Sequence, residues 1–177
     1  MRRSACAKSG STLVEAMLAC GLVALFLGGI YDMNWRGLFI LKSSIDVASA
    51  SELTTNVAEQ IRTATWQQIT DPAYLSGTIL ANSTATGHLP NVVQQIDVNP
   101  YPAPSGYGSP PLGAETVEVK RNGNGSVSTV YAGNGKLASE SSVQIDITVS
   151  WNSTFKSIPH TRVVRLIASP GGVLGQN

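Results

Sequence analysis

The feature that most constrains this chain is an uncharged apolar run that begins directly after a glutamate. Residues 16–31 read AMLACGLVALFLGGIY, without a single Asp, Glu, Lys or Arg. With Ser11, Thr12, Leu13 and Val14 in front, the stretch reaches the roughly 20 residues that carry a helix across a bilayer. Lipid offers backbone N–H and C=O groups no partners, so a segment of this kind must satisfy them internally, as a helix. Arg2, Arg3 and Lys8 precede it, and residues 1–10 contain no acid. Positive charge on the near side predicts a cytoplasmic N-terminus, with the rest of the chain across the membrane. Glu15 is the anomaly, because a carboxylate inside a spanning helix costs about 3 kcal/mol on insertion scales and normally has a partner.

Three architectures compete for this segment. A secretory signal peptide places its small-residue cleavage site after the apolar core. Here the Gly10–Ser11 junction comes before the core, and no clean A-x-A site follows. A plain signal anchor accounts for the basic flank and the apolar run, but not for a glutamate five residues past a glycine. The third architecture accounts for all of it. The pattern Gly10-Ser11-Thr12-Leu13-Val14-Glu15 resembles the type IV prepilin motif: a glycine, a cleavage point, a few mostly apolar residues and a glutamate. The resemblance, to the type IV prepilin and type II secretion pseudopilin family, implies cleavage between Gly10 and Ser11 by a prepilin peptidase. The same enzyme would N-methylate Ser11. The helix would be retained as the assembly core.

Cleavage would create a positive amine at Ser11, and Glu15 follows four residues later on the same helix face. A carboxylate beside an ammonium avoids most of the cost of an isolated buried charge. The resemblance implies that Glu15 pairs with the amine of its own or a neighbouring subunit and so sets register. Serine replaces the phenylalanine that most family members carry at the first mature position, which points to a minor subunit.

Beyond Tyr31 the chain turns polar without turning into loop, and no proline occurs before Pro72. Leu38, Leu41, Ile45, Ala48, Leu53, Val57, Ile61 and Ala64 recur at near-helical spacing and predict an apolar stripe. The expectation is one helix from Thr12 to Ile69, ended by Thr70-Asp71-Pro72, spanning about 85 Å. Gly28-Gly29 and Gly37 are where a kink, local unwinding or a division into two helices would fall, since glycine costs about 1 kcal/mol in a helix interior.

Residues 72–114 are rich in Pro and Gly and read as loop, with one short candidate strand at Val92–Val98. The tract from Pro100 to Pro111 reads as an extended surface loop that could also serve as a proline-rich docking ligand. Residues 115–169 read as β structure. Glu115–Arg121 alternates, Asn122-Gly-Asn-Gly125 is a hairpin turn, Ser126–Ala132 returns, Val143–Trp151 alternates again and Thr161–Ala168 closes the set. Ile147–Trp151 followed by an arginine-bearing last strand also resembles the ends of minor pilins and pseudopilins. The expected fold is α+β, a long N-terminal helix packed on an antiparallel sheet of about four strands. Its boundaries are a leader (1–10), a transmembrane and assembly helix (11–31), an amphipathic continuation (32–71), a loop region (72–114), the sheet (115–169) and a flexible tail (170–177).

Composition excludes several functions. Charged residues make up 13% of the 177, well below the roughly 25% of soluble domains. Losing the leader removes three of 12 basic residues and leaves nine against 11 acidic, a net charge of −2, so there is no basic field for nucleic acid. Cys6 lies in the leader and Cys20 in the apolar run, leaving the outer region without a disulfide or thiolate metal site. His88 and His160 are isolated, and His160 beside Pro159 reads as a turn residue. Asp97 and Asp146 show no obvious carboxylate partner, and no acidic cluster supports calcium. No nucleophile elbow, zinc-helix motif, Walker loop or dinucleotide fingerprint is present. The expectation is therefore no catalytic residue, no metal and no cofactor, hence a non-enzymatic structural subunit. The resemblance implies as partners the prepilin peptidase/methyltransferase, other pilin or pseudopilin subunits, an inner-membrane assembly platform and membrane lipid. It implies an inner-membrane, single-pass location before assembly into a pilus or pseudopilus. The competing reading is a single-pass anchored protein whose extracytoplasmic β-rich domain binds a ligand.

Overall fold

The structure, a computed structural model, describes residues 9–83, 89, 91–102, 115–153 and 158–175. Residues 1–8 of the expected leader, His88, most of the tract from Pro100 to Pro111 and the last two residues lie outside the described residues. The chain divides into two units, 1–42 and 43–177. Helix α1 spans Ser9–Thr63 and supplies all of the described part of the first unit. It runs unbroken through Gly28, Gly29 and Gly37, so neither a division nor an unwound turn occurs there. No residue of its most apolar window is buried, and its large apolar side chains range from 50% exposed at Ile30 to 77% at Phe26.

In the second unit the same helix changes character. Its packed face is made by Ala50, Leu53, Val57, Ala58 and Ile61, with Asp46 and Thr54 also buried. The spacing of three and four residues keeps these side chains on one side of the helix. The expected stripe was longer. Leu38, Leu41 and Ile45 are instead 59%, 58% and 41% exposed, so the packed face begins at Asp46.

The helix also ends earlier than expected, at Thr63. The cause is local chemistry. Thr65 caps a new short helix, α2 (Trp66–Ile69), through a capping box. The Gln68 amide N–H donates to Thr65 Oγ1 at 3.4 Å, and the Thr65 N–H donates to Gln68 Oε1 at 2.8 Å. The Trp66 indole donates to the Ala138 carbonyl at 3.0 Å, holding this corner to the sheet side of the unit. Asp71-Pro72 does not stop a helix but starts one. Asp71 accepts from the Ala73 N–H at 2.9 Å, and Pro72 occupies the first turn of α3 (Pro72–Tyr74), which continues into a π-helical segment, Leu75–Leu80. These residues were expected as loop. Their buried Leu75, Ile79 and Leu80 explain the difference, because they complete the apolar layer beside α1.

The sheet has six strands: β1 (Val93–Pro100), β2 (Val117–Arg121), β3 (Val127–Ala132), β4 (Val143–Asn152), β5 (Pro159–Ser169) and β6 (Gly172–Gly175). Every pairing is antiparallel, in the order β3-β2-β1-β4-β5-β6. The four expected strands are present, and two are added. The short run in the presumed loop region is the central strand β1, and the presumed tail folds back as the edge strand β6. The β2–β3 hairpin turns on Asn122–Gly125, where Gly125 has φ +84° and a Cβ on Gly123 would come within 2.9 Å of the Asn91 Cα.

One sheet face is apolar. Val143, Ile145, Ile147, Val149 and Trp151 of β4 are buried at every second position. Register sets Ile96 beside Ile147 and Val98 beside Ile145. Val117, Val119, Leu166 and Ala168 extend this face outward, and α1 with the π-helical segment covers it. Gln94 shares the face, 1% exposed. His160 lies in β5, not in a turn, and stacks on Trp151 with ring centroids 5.5 Å apart.

Ile61 is fully buried where helix meets sheet, whereas Leu41 is exposed. In urea titrations of the detergent-solubilised protein followed by tryptophan fluorescence, Ile61→Ala is expected to lower unfolding free energy by about 2–5 kcal/mol. Leu41→Ala should change it by less than about 0.5 kcal/mol.

Candidate functional site

Two polar constellations stand out, one in each unit. The first is at the start of α1. Gly10, Ser11 and Glu15 all lie within the helix, so Ser11 and Glu15 are one turn apart on one face. Glu15 is exposed and its carboxylate has no ion-pair partner among the described residues. The helix thus presents a single carboxylate at the head of an apolar surface; the next charged residues along it are Asp32 and Arg36.

The second constellation was not read from the sequence. On the face of the sheet away from α1, β-register sets Glu118 of β2, Asp97 of β1, Asp146 of β4 and Arg165 of β5 side by side in one row. Asp97 therefore does have carboxylate neighbours, on both sides. Asp146 is held firmly, because Arg165 donates to both its oxygens, from Nε at 2.8 Å and from Nη2 at 3.0 Å. This bidentate fork also raises the Arg165 pKa, chiefly through the hydrogen bonds and then through the Asp146 charge. The Gln144 amide donates to Asp146 at 3.2 and 3.1 Å, and the Gln95 amide donates to Asp97 at 3.0 and 3.1 Å.

Among the described residues no arginine pairs with Asp97, which is only 8% exposed. Burial pushes its pKa up to about 6, with the Glu118 and Asp146 charges adding and the Gln95 hydrogen bond opposing. One signal for this row was present in the sequence. The tripeptide Gln-Ile-Asp occurs twice, at 95–97 and 144–146. Each copy turns Ile inward and Gln and Asp outward. That the two copies are neighbours, with Asp opposite Asp, is a matter of register.

Among the described residues no group of three or more His, Cys, Asp or Glu is arranged to hold a metal ion. No family model matches the chain, and neither a curated protein nor a solved structure matches it.

The sign of the pH effect follows from the raised Asp97 pKa. The folded state holds this proton more tightly than the unfolded chain, whose ordinary value is 3.8, so the contribution is full below that value and is lost as pH rises through about 6. Asp97→Asn imitates the protonated form. Urea unfolding should find the variant more stable than the parent at pH 7.5, by about 1–3 kcal/mol, and the two should converge near pH 4. An unchanged difference across this range would show that Asp97 is not the titrating group.

Proposed function

We propose that this chain is a structural subunit, a minor pilin or pseudopilin, of a type IV pilus or a type II secretion pseudopilus. In this reading it has no catalytic role. A prepilin peptidase cuts between Gly10 and Ser11 and methylates the new amine. The helix first holds the chain in the inner membrane, with the second unit outside the cytoplasm. It then carries the subunit, through an assembly platform, into a filament of similar subunits.

The observation that carries the reading is the uninterrupted helix α1, which bears Gly10, Ser11 and Glu15 at its head and leaves its apolar window wholly exposed. An apolar surface of this size is not stable against water and requires lipid or other protein around it. A plain membrane anchor would need the apolar surface alone. The added glutamate, one turn from the position where cleavage would create an amine, is explained by assembly. In a low-dielectric surround the two opposite charges would attract strongly, and only a subunit with both in place would be free of an unpaired charge.

Mass spectrometry of the protein isolated from membranes is expected to show Ser11 as the first residue, heavier by one methyl group. An intact Met1 would overturn the reading and leave a single-pass anchored protein with an outer β-rich domain. Glu15→Ala should insert into the membrane as the parent does but fail to enter filaments, measured by immunoblotting the sheared or pelleted filament fraction. Unchanged incorporation would remove Glu15 from the assembly mechanism.

A further inference from the structure

The uncharged run of α1 ends in a short section with a distinct chemistry. Tyr31 and Trp35 are four residues apart, so their rings lie one turn apart on the same side, 76% and 56% exposed. Offset by one residue, Asp32 and Arg36 form an ion pair at 2.9 Å on the adjoining side, with both side chains more than half exposed. Phe26, Leu27 and Ile30 precede this section with fully apolar, exposed side chains. Within about two turns the helix surface thus passes from hydrocarbon groups to amphipathic rings and a neutralised charge pair.

We propose that Tyr31 and Trp35 form a lipid-facing anchor that seats this turn of α1 at the boundary between the hydrocarbon and the headgroups of a phospholipid bilayer. The proposal rests on the reading of α1 as a membrane helix and adds to it the depth at which the helix sits. Aromatic rings with a polar edge favour this layer, because it accommodates both the ring face and the polar group. The Asp32–Arg36 pair suits the same layer, since a pair with no net charge avoids most of the cost of bringing a lone charge toward hydrocarbon.

Length agrees with this placement. Twenty residues separate the two ends of the segment from Thr12 to Tyr31, counted inclusively, and about 20 helical residues match the thickness of a bilayer's hydrocarbon core. With Tyr31 at one boundary, Thr12 reaches the other and Glu15 lies one turn inside it. Sliding the helix one way would draw Asp32 and Arg36 into hydrocarbon. Sliding it the other way would carry Glu15 toward the midplane. The aromatic pair resists both displacements and so sets the depth of Glu15.

The test uses the full chain reconstituted in phosphatidylcholine vesicles, with lipids brominated either near the glycerol or near the chain ends. Trp35 is read as the difference in quenching between the parent and Trp35→Phe, because Trp66 and Trp151 are unchanged in both. The anchor predicts that shallow bromines quench Trp35 roughly two-fold or more above deep ones. Stronger quenching by deep bromines, or none by either, overturns it. Labelling Cys20 in a Cys6→Ser variant with a membrane-impermeant maleimide separates the two ideas. If Cys20 is protected while Trp35 is not quenched, the span stands and the anchor falls. If Cys20 is labelled in intact vesicles, the span itself is wrong and the anchor falls with it.

Discussion

Leu53, Val57 and Ile61 must lie against a dry surface, and the rest of the second unit is arranged to provide one. A helix offers only a stripe, so its partner has to be broad and flat. The antiparallel sheet meets this need with one apolar face, made by alternating residues of β1, β2, β4 and β5. Burying Ile96, Ile145 and Ile147 under the helix removes both elements' apolar surfaces from water together, which neither could do alone. The π-helical segment with Leu75, Ile79 and Leu80 closes the side of this layer that α1 does not reach.

The same helix faces a different requirement before residue 43. There, among the described residues of the first unit, no side chain of the helix is buried, and those from Ala16 to Tyr31 are apolar nearly all round. One continuous backbone can serve both settings because an α-helix satisfies its own hydrogen bonds whatever surrounds it. Only the side chains change, from an apolar surface on all sides to a stripe with polar flanks. The transition is marked by Asp32, Arg36 and Lys42, and the packed face opens with the buried Asp46.

The outer face of the sheet shows how register alone creates electrostatics. Asp97 and Asp146 are far apart in the chain and unremarkable there. Pairing of β1 with β4 sets them opposite one another, and pairing of β1 with β2 adds Glu118. Like charges directly opposite on neighbouring strands are unfavourable, and the arrangement is tolerated because Arg165 grips one carboxylate and Gln95 the other. Asp97, buried and without a cation among the described residues, carries the remaining cost as a raised pKa.

The sequence by itself determined the long helix, its apolar half, the isolated Glu15 and the β strands after residue 115. All of these follow from local rules: periods of 3.6 and 2, helix breakers, turn residues and the incompatibility of apolar runs with water. It also determined that Ser11 and Glu15 share a face, since four residues make about one helical turn. Where the helix stops was legible in principle, because Thr65-x-x-Gln68 is a capping box, but the helical periodicity running through Ala64 masked it. Only the tertiary structure decided that Val93–Pro100 is a central strand, that Gly172–Gly175 joins the sheet and that the stripe is buried from Asp46 onward and not at Leu38. The reason is that strand partners and buried surfaces depend on residues far away in the chain, and no local pattern states which those residues are.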